Sequence, residues 1–214
     1  MEALMDGDDR AAPECNLPAL TLDDVRPTAE EYSAAKGTGF RRVLRSFPVA
    51  VGVHFNHVGH DFRVLESKRE PDERIIGYIP ELFIPKRHGA NTPAAGAILT
   101  AVAITNRRLL TLEAKPKAWD RSLVRTWLAI DLGAVRRWAV TPRDATQRFS
   151  DFLDLWRGGF VFQYSHLRAS DQKLMSTEYF VPQYCERYVA TLTTALTELG
   201  VPFPEQQPNR HTPT

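Results

Sequence analysis

The chain has 214 residues, 43% of them hydrophobic and 25% charged, with a formal net charge of +1, which fits one globular domain with appendages or at most two small ones. The longest mostly apolar run, Ala94 to Ile104, falls short of the roughly 18–20 residues a membrane span needs, and the opening Met1-Glu2-Ala3-Leu4-Met5-Asp6 lacks the basic and apolar regions of a secretory leader. Only Cys15 and Cys185 are present, too few for a disulfide framework or a cysteine-based zinc site, so the expectation is a soluble, cytoplasmic protein.

Charge is unevenly placed. Residues 1–35 hold nine acids against Arg10 and Arg26, a net of −7, which leaves 25 basic and 17 acidic residues, a net of +8, in the remainder. A basic body attracts phosphates, acidic proteins or the chain's own acidic arm. Residues 1–26 carry few large apolar groups, and such a segment cannot offset the entropy of ordering. They are expected to form a disordered acidic tail that covers a basic rim and weakens anion binding until displaced.

An N-terminal helical extension is expected over 27–72. Thr28 and Glu31 have the spacing of a capping box, each side chain reaching the other's amide. Phe40, Val43, Leu44 and Phe47 then recur at helical spacing opposite Arg41, Arg42 and Arg45, an amphipathic pattern that packs on its own domain or docks on a surface. Residues 49–66 fit a strand (Val49, Val51, Val53, Phe55) or a helix (Val51, Phe55, Val58, Phe62, Leu65), with helix preferred after Pro48. His54, His57 and His60 lie here. Steps of three residues rotate about 300° on a helix, so the three imidazoles do not converge on one metal in either geometry.

Ser67 to Arg74 reads as a charged linker, and Ile75 to Ile84 as a first strand in which Pro80 implies an edge position or a bulge. The loop Pro85 to Asn91 leads to a hairpin: Ile98, Thr100, Val102 and Ile104 alternate, Thr105-Asn106-Arg107-Arg108 turns, and Leu109, Leu110 and Leu112 resume. Asn106 suits the turn because its short amide tolerates a left-handed backbone. A second basic loop, Lys115 to Arg121, precedes a strand over 126–132, a turn at Gly133-Ala134 and a strand over 135–140. Residues 144–157 are consistent with a helix (Phe149, Phe152, Leu153, Trp156), while Leu153 to Trp156, Gly158-Gly159 and Phe160 to Tyr164 also read as a hairpin. Arg168 to Phe180 is expected to be a polar connection. Tyr184, Tyr188, Leu192, Leu196 and Leu199 form the apolar face of a last helix that stops at Gly200, and residues 201–214 are expected to be a disordered, proline-rich tail.

An apolar strand entering Ile104-Thr105-Asn106-Arg107-Arg108-Leu109, followed by Ile130-Asp131-Leu132-Gly133-Ala134-Val135, resembles the bacterial pleckstrin-homology-like and GRAM-like domains over 73–200. The resemblance implies an α+β fold: a bent antiparallel barrel or sandwich capped by the C-terminal helix, here with an N-terminal helical extension. The Thr105–Arg108 motif is then a structural turn whose arginines lie at the surface.

In an up-and-down meander alternate turns share an end, so the loops 85–91 and 113–125 converge. That end collects Lys86, Arg87, His88, Lys115, Lys117, Trp119 and Arg121, a candidate anion site acting by charge-assisted hydrogen bonds. The resemblance makes this the phosphate-holding end of phosphoinositide-binding relatives.

The sequence carries no G-x-S-x-G, P-loop or G-x-G-x-x-G pattern, and no cofactor is implied. The expected function is a non-catalytic binding module recognising a protein partner or an anionic, phospholipid-like surface, with homo-oligomerisation possible and a peripheral membrane location open. One alternative is nucleic-acid binding through Arg41, Arg42, Arg45, Arg136, Arg137 and Trp138. Another is a metal-dependent enzyme using His54, His57 or His60.

Overall fold

The computed structural model describes residues 15–37, 58–84, 98–116, 123–142 and 159–202. Seven strands run β1 (Ile75–Ile84), β2 (Ile98–Thr105), β3 (Arg108–Pro116), β4 (Leu123–Asp131), β5 (Val135–Pro142), β6 (Phe160–Leu167) and β7 (Leu174–Val181). They are antiparallel, in the order β4-β3-β2-β1-β7-β6-β5. Two meanders, β1–β4 and β5–β7, are joined where Phe83 pairs with Phe180. The outermost described strands, β4 and β5, do not pair with each other, so the ladder is open and the closed-barrel alternative does not hold. The class is α+β, with helices α1 (Ala29–Gly37), α2 (Val58–Glu66) and α3 (Glu186–Glu198).

The expected strands follow from period-two patterning, and Pro80 acts as forecast. The β1–β2 register shifts between Ile79 and Leu82, a bulge that accommodates the missing amide in a strand that is central, not an edge. Each face of β1 meets a helix. A Cβ on Gly77 would stand 3.1 Å from Ala195 Cβ and 3.2 Å from Leu192 Cα, so glycine lets α3 lie directly on the strand. The next residue, Tyr78, points the other way; its hydroxyl donates to Val58 O at 3.2 Å and its ring meets Phe62 edge-on at 5.2 Å. Phe62 and Leu65 of α2 are fully buried, each contributing about 1.5–3 kcal/mol.

The last helix is the expected one: Tyr184, Tyr188, Leu192, Leu196 and Leu199 are all buried. It ends in a Schellman turn, with Gly200 at φ +64°, Gly200 N donating to Thr197 O at 2.9 Å and Val201 N to Leu196 O at 3.1 Å. At the other terminus the capping box is present. Thr28 N donates to Glu31 Oε2 at 2.8 Å and Glu31 N to Thr28 Oγ1 at 3.2 Å.

Four expectations are corrected. Residues 15–26 are not a tail. Cys15 and Val25 are buried, Leu20 N donates to Ile75 O at 2.7 Å, and Tyr188 Oη donates to Val25 O at 2.9 Å. A few apolar side chains suffice because α3 supplies prebuilt partners: Arg187 donates to Asp24 O, Arg26 O and both oxygens of Glu31. Val201 and Pro202 likewise leave the expected C-terminal tail: Val201 is buried and Pro202 O accepts from Trp138 N at 3.2 Å.

The polar connection over 168–180 is largely strand β7, turned back after β6 by residues 168–173, with Arg168 N donating to Lys173 O at 3.0 Å. Finally, among the described non-glycine residues only Gln172 has positive φ. Asn106 is therefore not left-handed; its Oδ1 accepts from Arg74 N at 3.0 Å and its N donates to Arg74 O at 3.3 Å. The alternatives for 144–157, the 40–47 stripe and the strand-like half of 49–66 lie outside the described residues. From Val58 onward that last segment is helix.

Candidate functional site

The Thr105–Arg108 turn is a clasp. Thr105 Oγ1 accepts from Arg107 N at 3.1 Å and Arg108 N at 2.8 Å, a side chain standing in for a backbone acceptor. Arg108 then turns inward instead of lying at the surface. Its Nε and Nη2 donate to Glu73 at 2.7 and 2.5 Å, and the Glu73 side chain has no solvent exposure. Burial pushes the Glu73 carboxyl up, but the Arg108 hydrogen bonds, the Glu70 amide, the Arg108 charge and the Thr105 hydroxyl outweigh it and leave it below its ordinary value of 4.5. Arg107 stays near the surface, paired with Asp72 at 2.5 Å. This end of the sheet is saturated with internal partners, and the linker expected over 67–74 supplies them.

The opposite end is where the forecast anion site belongs. Ile84 pairs with Ile98, Leu99 with Ala114 and Pro116 with Leu123. The strand ends that carry the 85–97 and 117–122 loops therefore stand side by side. Of the seven candidates, Lys115 is on β3 opposite Val124. Lys86, Arg87, His88, Lys117, Trp119 and Arg121 lie outside the described residues. Residues 15–26 attach at Arg74 and Ile75: Leu20 binds Ile75, and Arg74 Nη2 donates to Cys15 O. That is the Asn106 end, across the length of β1 from Ile84, so this part of the acidic arm does not cover the forecast rim.

A recess of about 300 Å³ crosses β5–β7, lined by Arg137, Trp138, Ala139, Gln163, Tyr164, Ser176, Thr177 and Glu178. Ala139, Gln163 and Glu178 are directly opposed across the three strands, so the small side chain of Ala139 opens the floor. Its charged groups have partners: Arg137 Nε donates to Ser165 Oγ at 3.2 Å, and Gln163 Nε2 donates to Glu178 Oε2 at 2.6 Å. On neighbouring strands β6 and β7, Tyr164 stacks with Tyr179 at 6.1 Å; burial, the largest influence on each, raises both phenols, against hydrogen bonding with Tyr179 and Thr177 that lowers Tyr164. The sequence signal for this cluster is the alternation Phe162, Tyr164 and Tyr179, Val181 on neighbouring strands.

The other forecast site residues separate. Trp138 cannot stack on a base: it is 3% exposed and its Nε1 donates to Val201 O at 2.9 Å. Arg136 and Arg137 are exposed, while Arg41, Arg42 and Arg45 lie outside the described residues. His60 is exposed on α2, His54 and His57 lie outside the described residues, and among those described no three His, Cys, Asp or Glu side chains gather at a metal-binding distance. Among the described residues no helix is long and apolar enough to cross a membrane.

No family model matches the chain, and no curated protein matches it. Among solved structures it is similar to the hSac2 domain from human phosphoinositide phosphatase Sac2, with 8% identity and a TM-score of 0.41 over 74% of this chain and 95% of that one. A likeness this distant carries no argument about function.

Proposed function

We propose that the chain is a non-catalytic binding module of the pleckstrin-homology-like kind. Its loop end would recognise an anionic, phospholipid-like surface or a protein partner. The observation that carries this reading is the register that sets Ile84, Ile98, Pro116 and Leu123 side by side, because it roots two loops rich in lysine and arginine at one end of the sheet. Two antiparallel meanders with α3 lodged against β1 also agree with the architecture that the Thr105–Arg108 resemblance implies. Convergent cations there bind phosphate or carboxylate oxygens through charge-assisted hydrogen bonds, and their long-range attraction weakens with salt.

The test is a titration of the full chain against neutral vesicles and vesicles containing anionic phospholipid. Lys86, Arg87, Lys115 and Lys117 are then changed together to Glu. Binding to the anionic vesicles alone, lost in the variant, supports the reading; binding unchanged by the four reversals rejects the site. Capture of an acidic protein without vesicle binding, lost in the same variant, selects the protein-partner form.

A further inference from the structure

The two outer strands of the ladder are treated differently. At β5, the edge that faces away from β6 is met at its middle by the chain leaving α3: Trp138 N donates to Pro202 O at 3.2 Å and the Trp138 indole Nε1 to Val201 O at 2.9 Å. At β4, no described residue pairs with the edge that faces away from β3. That edge is nine residues long and carries two large exposed apolar side chains, Trp127 at 47% and Leu128 at 52%. Long, apolar, uncovered edges template pairing with another strand, and proteins otherwise blunt them.

The direction of the edge groups fixes the possible registers. Leu132 N donates to Arg107 O at 2.9 Å, while Arg108 stands opposite Asp131. This makes Arg108–Asp131 a non-hydrogen-bonded pair. Alternation along β4 then turns the N–H and C=O of Ile130, Leu128 and Thr126 toward β3, and those of Asp131, Ala129, Trp127 and Arg125 outward. A two-fold axis at Leu128 sets Trp127 opposite Ala129 of a second copy and Arg125 opposite Asp131 of that copy, every such pair joining outward-facing groups. It matches a large ring to a small side chain, places Leu128 against itself, and sets a cation against an anion at both ends. Axes at Trp127 or Ala129 also join outward groups, but they place Asp131 opposite Leu123 or Trp127 and lose the charge match.

We infer that the partner of the β4 edge is a second copy of this chain, paired antiparallel about Leu128 so that the ladder continues across a two-fold axis. The contact is isologous and therefore closed at two copies. It lies along β4 and does not depend on the binding function proposed for the loop residues.

The test uses sedimentation of the full chain over a concentration series, together with two kinds of variant. Ala129→Pro removes an outward amide that no described residue accepts from, a position where a strand tolerates proline, so the fold persists by circular dichroism. Leu128→Cys places two thiols at a non-hydrogen-bonded antiparallel pair, whose Cα separation of about 4.5 Å suits a disulfide. The native Cys15 and Cys185 are buried and do not compete. The expected results are a concentration-dependent dimer, association at least about ten-fold weaker in Ala129→Pro, and a disulfide-linked dimer on mild oxidation of Leu128→Cys but not of Trp127→Cys. A chain that stays monomeric throughout overturns the inference. So does a dimer that ignores Ala129→Pro, or one that crosslinks equally through both cysteine positions.

Discussion

Arg108 holds Glu73 through two guanidinium nitrogens, at 2.7 and 2.5 Å, with the carboxylate side chain wholly removed from solvent. The pair ties the α2–β1 connection to the β2–β3 turn, elements more than thirty residues apart in the chain. Removing one member of a buried pair leaves the other uncompensated. Glu73→Gln is expected to lower unfolding free energy by about 3 kcal/mol, read by urea denaturation. Arg108→Lys keeps the charge but loses the two-pronged geometry, and should fall between the native chain and Glu73→Gln.

The same pair gives the fold an acid limit. Glu73 and Glu31 both titrate below their ordinary value of 4.5; in each, burial opposes ionisation, and the hydrogen bonds and charge of Arg108 or Arg187 together with a backbone amide (Glu70 or Thr28) outweigh it. A carboxyl depressed in the folded state stabilises fully above its unfolded pKa, and that contribution disappears as pH falls through the folded value. Stability should therefore drop below about pH 4.5. Thermal melts from pH 6 to pH 3 should show a shallower decline in Glu73→Gln.

Residues 15–26 form a strap over α3 and the start of β1. Deleting the chain through Arg26 removes buried Cys15 and Val25, and is expected to destabilise the body by about 3 kcal/mol. Tyr188→Phe deletes only the hydroxyl that donates to Val25 O and should cost about 1 kcal/mol. Amide exchange along 20–26 should accelerate in Tyr188→Phe while that of β2 and β3 stays unchanged.

Gly159 enters β6 at φ +92°, where an added Cβ would stand 2.4 Å from Val181 O. That oxygen belongs to the backbone and cannot swing aside. Gly159→Ala is expected to cost about 2 kcal/mol or more, measured by denaturation. Gly200→Ala, with nothing within 4 Å of its Cβ, should cost only about 1 kcal/mol for its positive φ.

Legibility in the sequence followed periodicity. The hairpin β2–β3, strand β1 with its bulge at Pro80, and helix α3 with its five-residue apolar face could all be read, because each repeats a pattern set by one buried surface. Strand β7 was hidden because Ser176, Thr177 and Glu178 interrupt its alternation; only Met175, Tyr179 and Val181 keep the period. The strap was hidden for another reason. Its apolar side chains are few and irregular, and what orders them is Arg187 and Tyr188, some 160 residues away. Glu73 looked like one more charge in a linker, since burial of a carboxylate depends on a partner that the local sequence does not name. For the candidate site, the shared loop end was legible from the meander alone, whereas the outward direction of Trp127 and Ala129 needed one observed backbone bond.

The chain leaving α3 does more than end a helix. Val201 and Pro202 meet β5 at its middle and occupy the Trp138 amide, one of the groups through which that strand would otherwise recruit a neighbour. A fragment cut just after Gly200 would keep every described strand and helix, yet among the described residues it would carry an uncovered seam on each flank of its ladder. A molecule with one such seam stops growing at a pair, whereas one with two dissimilar seams adds copies head to tail without limit. Trimming the chain just after Gly200 should therefore let copies add into fibres.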